Sequence, residues 1–142
     1  MPKLVRTLAF VVFATVVASC DDPVPAVGVR LTDSGKLEFL YNPCHESRLV
    51  RSVELQSSGT VIWRIESEAG SSLSEFQAGL APEGFTTTVP LKMEVVWKRL
   101  RVEVSGVGDD SFELTDLELG KVFVEREGNM STEEFWARDT CG

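Results

Sequence analysis

Three cysteines, a single histidine and one basic cluster carry most of the chemistry available to this 142-residue chain. Cys20 closes the small-residue run Val17-Ala18-Ser19. Its thiol is a nucleophile that can take an acyl-bearing group, and the small residues in front of it suit a cut at that bond. His45 is the one imidazole, so a zinc site of the His-Glu-x-x-His kind cannot be assembled. The stretch reads His45-Glu46-Ser47-Arg48-Leu49, with leucine where the second ligand would stand. A nucleophile and base made of Cys44 and His45 is disfavoured, because neighbours on an extended chain point to opposite faces. A Ser-His-Asp triad would need the same histidine, and no Gly-x-Ser-x-Gly elbow accompanies it. Gly106-Val107-Gly108-Asp109-Asp110 lacks the third glycine of a dinucleotide loop and reads as a hairpin turn. Its two acids fall short of the roughly six to eight oxygens that Ca²⁺ takes. The chain also lacks Cys-x-x-Cys. No catalytic residue, metal or cofactor is expected.

Lys98, Arg99 and Arg101 form the one basic cluster of an acidic chain. Two readings stand side by side: a solvated strand face paired with nearby glutamates, or a receiving surface for an anionic partner. Trp97 beside the cluster and Trp136 near the end are candidate contact aromatics, although core packing is the favoured reading of Trp97.

The start of the chain supplies an address. Lys3 and Arg6 precede 13 uncharged residues from Thr7 to Ser19, and Asp21-Asp22 follow Cys20. A basic start, a short apolar run and small residues at a cut describe an export signal. The run is too short for a spanning helix, which needs about 20 apolar residues. Cysteine directly after the cut resembles the lipobox of bacterial lipoproteins, which implies removal of residues 1–19 and a diacylglycerol on the Cys20 sulfur. An ordinary secretory signal with an incidental cysteine is the alternative. Residues 20–25, with Pro23 and Pro25, read as a stiff tether, and 26–142 as one domain.

Charge excludes some partners. Losing Lys3 and Arg6 leaves 12 of the 14 basic side chains beside 22 acidic ones, a net of −10. Nucleic acid is disfavoured, since phosphate binding relies on clustered Lys and Arg. Attachment to a membrane is expected through acyl chains rather than a basic face. Cys44 and Cys141 remain as an even pair in an oxidising compartment. They are expected to bridge, closing nearly the whole domain, since a free thiol outside the cell is open to oxidation; two separate buried thiols are the alternative.

The elements that must position these residues are almost all strands. Val27, Val29 and Leu31 alternate, as do Leu37, Phe39 and Tyr41, with turn chemistry at Asp33-Ser34-Gly35 between them. Val53 and Leu55 mark a third strand, turning at Ser57-Ser58-Gly59 into Val61, Trp63 and Ile65. Trp63 is expected in the core between two sheets, with an exposed ligand platform as the competing role. Residues 66–84 read as a long crossover with room for one extra short strand. Phe85, Thr87, Val89 and Leu91 resume the alternation, and Pro90 ends that strand or places it at an edge. Val95 and Trp97 run into Leu100, Val102 and Val104 in opposite phase, which predicts a bulge near Lys98-Arg99. Phe112 with Leu114, then Val122 with Val124, follow. Ser131 or Thr132 caps a short C-terminal helix with Glu133 and Glu134 in its first turn. The expectation is an all-β antiparallel sandwich of seven or eight strands, immunoglobulin-like in architecture, with one short helix.

Taken together, the elements resemble a family of uncharacterised lipoproteins from actinobacteria. The likeness rests on the lipobox, the Val27-x-Val29 strand with its Gly35 turn, Cys44, Val61-Ile62-Trp63, Pro82-x-Gly84-Phe85, Gly120-x-Val122, and Glu133-Glu134-Phe135 before Cys141. It implies anchorage on the extracytoplasmic face of the cell membrane and a disulfide, with no activity attached. The expected function is a non-enzymatic envelope module that presents one face of a sandwich to a protein, polymer or small ligand. The rival is a glycan hydrolase working with two carboxylates.

Overall fold

The structure, a computed structural model, describes residues 26–43, 48–92 and 97–141. The signal, Cys20 and its tether, Cys44, His45 and Val95 lie outside the described residues. Within them, two five-stranded antiparallel sheets pack face to face.

The first sheet grows from a hairpin of β1 (Val27–Leu31) and β2 (Leu37–Tyr41), in register from Val27 opposite Tyr41 to Leu31 opposite Leu37. The second sheet grows from β3 (Val50–Ser57) and β4 (Thr60–Ser71). Ser58 and Gly59 between them both hold positive φ, 48° and 82°. That left-handed pair is the hairpin turn whose twist matches the strands it joins. β5 (Glu75–Gln77) crosses back to the free edge of β2. β6 (Thr86–Val89) lies on β4 at the edge of the second sheet, where Pro90 can end it without removing a ladder hydrogen bond from a central strand. β7 (Leu100–Val104) pairs with β3, and β8 (Gly108–Phe112) with β7. β9 (Val122–Val124) then returns to the first sheet beside β1, and β10 (Gly128–Met130) closes it.

The inner faces bury Val27, Val29, Phe39 and Tyr41 against Val53, Leu55, Trp63, Ile65 and Val102. Trp63 is fully buried, its ring centroid 5.9 Å from that of Phe39 on the facing sheet. One side of β4 does not keep strict alternation. Leu55 pairs with Trp63 but Gln56 with Val61, so Ile62 is an extra residue, and both Ile62 and Trp63 are buried.

A second, smaller core lies on the other side of the first sheet. Helix α1 (Thr132–Trp136) starts at Ser131, whose Oγ accepts the Glu134 N–H at 3.0 Å while Glu134 Oε2 accepts the Ser131 N–H at 2.7 Å. Phe135 packs there with Leu40, Val122 and Val124. Gly28 is what lets the helix sit so close: a Cβ on it would lie 2.5 Å from Val122 Cγ1 and 2.8 Å from a Phe135 ring carbon. The first sheet is therefore covered on both faces.

Several expectations need correction. Ten strands stand among the described residues rather than seven or eight. β10, read as Gly128-Asn129-Met130, has no β-branched residue to announce it, and β5 is the short extra strand of the crossover. The crossover itself is shorter than expected, because β4 continues to Ser71. Asp109 and Asp110 are strand residues, the turn ending at Val107. Leu114 begins a 3-10 turn (Leu114–Asp116) rather than ending a strand. The phase change near Lys98-Arg99 is a bend before β7, not a bulge within it. The order β6-β4-β3-β7-β8 parallels the C″-C′-C-F-G face of a variable-type immunoglobulin domain, but β9 and β10 close the other sheet in a way that fold does not. The likeness is one of architecture.

Candidate functional site

The registers give the sandwich two distinct ends. β1 leaves Ala26 at one end, where Asn42, the Ser105–Val107 turn and the C-terminal residues also lie. A Cβ on Gly108 would stand 4.0 Å from Val27 Cγ2, which brings the second sheet to the same end. At the opposite end lie the β1–β2 turn, Ser58-Gly59, the turn at Ala78-Gly79, Trp97 to Arg99, and the chain around Leu114 to Gly120.

The Ala26 end is laced together by one side chain. Asn42 Nδ2 donates to the carbonyls of Phe135 at 3.1 Å, Trp136 at 3.3 Å and Arg138 at 3.0 Å. Phe135 and Trp136 end the helix and Arg138 follows it, and the half-buried amide is a fitting donor for carbonyls at a helix end. The Asn42 carbonyl accepts from Thr140 Oγ1 at 3.0 Å, and its N–H donates to Ala26 O at 2.8 Å. Arg138 lies over the Phe135 ring at 5.6 Å and pairs with Glu127 at 2.8 Å. Cys141 is disulfide-bonded, and its N–H donates to Asp139 Oδ1 at 3.0 Å.

The opposite end is a rim built on Trp97. Its indole N–H donates to Lys92 O at 3.2 Å, and its half-buried ring packs against the main core. With the N–H satisfied inside the chain, the exposed part of the ring is apolar. Ser57 and Ser58 pin the following residues, the Oγ of Ser57 accepting the Lys98 N–H at 3.3 Å and the Ser58 N–H donating to Arg99 O at 3.0 Å. Trp97 walls two neighbouring hollows. One, of about 360 Å³, is lined by Lys36, Leu37, Ala78, Leu80 and Leu91 among others. The other, of about 500 Å³, is lined by Lys98, Arg99, Glu113, Leu114 and Thr115. Leu80, Leu114 and Leu119 at this end are exposed at 55%, 40% and 62%, more apolar surface than a closing turn requires.

The candidate contact residues are thus divided. Trp97, Lys98 and Arg99 come together at the rim. Arg101 sits on the open face of the second sheet, bonded to Asp109 at 2.7 Å and near Glu103 at 3.6 Å. Trp136 stacks edgewise on Phe135, centroids 5.1 Å apart, in the helix-covered core. Spacing along the chain suggested one basic cluster, whereas the bend at Arg99 separates it into two settings.

Carboxylates occupy two unlike places. On the open face of the second sheet, Glu54, Glu103 and Asp109 are cross-strand neighbours. Arg64 holds Glu54 through its Nε at 2.6 Å and its Nη2, and Arg101 holds Asp109. Asp110, missed as a site residue in the sequence, is fully buried between β8 and the chain after β9. Its Oδ1 accepts the Glu125 N–H at 3.0 Å, and its Oδ2 has no hydrogen-bond partner among the described residues. Burial, seconded by the Glu125 and Asp109 charges, pushes its carboxyl up from 3.8 to about 8 against the opposing backbone hydrogen bonds. The available signal was its place two residues before Phe112, on the inward side of a strand. Among the described residues no three His, Cys, Asp or Glu side chains are grouped to hold a metal ion, and no helix is long and apolar enough to cross a membrane. Compared with protein-family models, curated proteins and solved structures, the chain matches none.

Proposed function

We propose that this chain is an extracytoplasmic lipoprotein, attached to the cell membrane through acyl groups on Cys20, and that it works as a non-enzymatic binding module of the cell envelope. The observation that carries the reading is the Val17-Ala18-Ser19-Cys20 run behind a basic start and a short apolar stretch. The two ends of the sandwich support it. A tether of a few residues reaches the domain at Ala26, the end tied by Asn42, and leaves the Trp97 rim pointing away from an anchored surface. The likeness to actinobacterial envelope lipoproteins belongs to the same proposal.

Cys44 is the proposed disulfide partner of Cys141. Asn42, two residues before Cys44, accepts a hydrogen bond from Thr140, one residue before Cys141. A tie so close in sequence to both cysteines supports the pairing, since a disulfide spans only a few ångströms.

A binding role is favoured over a carboxylate hydrolase by where the acids stand. The carboxyl group with a strongly raised pKa, Asp110, is inside the sandwich. The outward Glu54 and Asp109 are held by arginines on a sheet face rather than opposed across a cleft. Fractionation and radiolabelled palmitate test the anchor. Wild-type chain is expected in the membrane fraction, labelled and shortened, and Cys20→Ser is expected unlabelled and uncleaved. A Cys20→Ser chain processed to the same mature size and still membrane-bound would refute the reading.

A further inference from the structure

The hollow beside Trp97 differs in its lining from the acidic chain as a whole. The whole chain has 22 acidic and 14 basic side chains, yet among the described residues no acidic one lines the hollow of about 360 Å³ beside Trp97. Its walls are Trp97, Leu37, Leu80, Leu91 and Ala78, with Lys36 at the edge. Lys92, whose carbonyl holds the indole, and Lys98, in the adjoining hollow, add two more exposed ammonium groups. None of these three lysines has an ion-pair partner among the described residues. Arg99 reaches only Glu125, at 3.9 Å. Elsewhere some arginines of the outer faces are closely matched with carboxylates, as Arg30 is with Glu38 at 2.6 Å and Arg101 with Asp109 at 2.7 Å, while Arg48 and Arg51 donate to backbone carbonyls. The volume is that of a small-molecule site, and an apolar hollow edged by unmatched cations is complementary to a particular chemistry.

We propose that the Trp97 hollow binds an amphiphilic anion, its apolar body against Trp97, Leu80 and Leu91 and its carboxylate or phosphate head toward Lys36, Lys92 and Lys98. The proposal deepens the binding-module reading and rests on it. Packing against a pinned aromatic ring supplies the affinity, because the indole spends no rotational freedom on binding. The lysines supply sign selectivity, since an exposed cation attracts the head group through solvent and repels a cationic one.

The test is isothermal titration of the full-length chain in nanodiscs of zwitterionic lipid, with empty nanodiscs subtracted. Three probes share one apolar body: 4-phenylbutyrate, 4-phenylbutanol and 4-phenylbutylamine. The carboxylate is expected to bind about tenfold more tightly than the alcohol, and the amine most weakly, with the difference shrinking at high salt. A Lys36→Glu/Lys98→Glu chain should lose that preference while melting like wild type, because both side chains are exposed. Trp97→Ala should weaken the carboxylate and the alcohol alike. Equal binding of carboxylate and amine, a preference that survives the double lysine exchange, or no heat with any probe would each overturn the proposal. Membrane attachment through Cys20 is read separately by palmitate labelling, so failure here leaves the anchor reading standing on its own test.

Discussion

Trp63 in β4 and Trp97 before β7 both touch the main core and have opposite fates. Trp63 is fully buried against Phe39, and its indole Nε1 has no hydrogen-bond partner among the described residues. Trp97 has its indole N–H bonded to Lys92 O and its ring half open to two hollows. An unpartnered buried N–H costs about 1–3 kcal/mol, so Trp63 is retained for the apolar area it removes from water. The rim tryptophan removes less area and is held more specifically. The contrast teaches that aromatic content alone does not separate core from site. Where the polar atom of the ring goes, and what the rest of the ring faces, does separate them.

The contrast breaks most readily at Trp63. Trp63→Ala should cost about 3–5 kcal/mol through lost burial and a residual cavity, a large part of the about 5–15 kcal/mol that holds a domain together. Chemical denaturation reads it, and a loss under about 1 kcal/mol would mean that the inter-sheet core does not depend on this ring.

Gly28 tests the other sealed layer. Gly28→Ala places a methyl group into Val122 and Phe135, and overpacking of this kind costs about 1–3 kcal/mol. The same denaturation experiment should show the loss, and a Gly28→Ala/Phe135→Leu chain should recover part of it. An unchanged midpoint would mean that α1 does not press on β1 as described.

These elements show what sequence reading can reach. The two founding hairpins were legible because Val27 to Tyr41 and Val53 to Ile65 alternate around glycine turns, and periodicity of two is a local property. The cap at Ser131 was legible for the same reason, its partner Glu134 being three residues away. Trp63 was expected in the core and is there. By contrast, the tight seat of Phe135 over Gly28 joins residues more than a hundred positions apart, and nothing near Gly28 announces it. The Asn42 lacing of residues 135–140 is non-local in the same way. The basic cluster was legible as composition, but its division between rim and sheet face depends on one bend at Arg99.

Asp110 gives a smaller, pH-dependent effect within the sealed part. Its folded pKa of about 8 lies above the ordinary 3.8, so the folded chain holds a proton that the unfolded chain releases. Its contribution is full below the ordinary value and declines as pH rises toward about 8, beyond which it stays lost. Asp110→Asn keeps an acceptor for the Glu125 N–H and has no charge to expel. Wild type should therefore lose more stability than Asp110→Asn between pH values of about 5 and about 9. Parallel slopes for the two chains would show that Asp110 does not titrate across this range.

The claim that one part of the molecule is sealed for stability and the other open for binding is tested most directly by Trp97→Ala, measured for melting temperature and for 4-phenylbutyrate affinity on the same sample. The account predicts a melting temperature within a few degrees of wild type, as a loss of about 1 kcal/mol allows, together with clearly weakened binding of 4-phenylbutyrate. Unchanged affinity, or a fall in melting temperature as large as that of Trp63→Ala, would contradict it and make Trp97 a core residue like its counterpart.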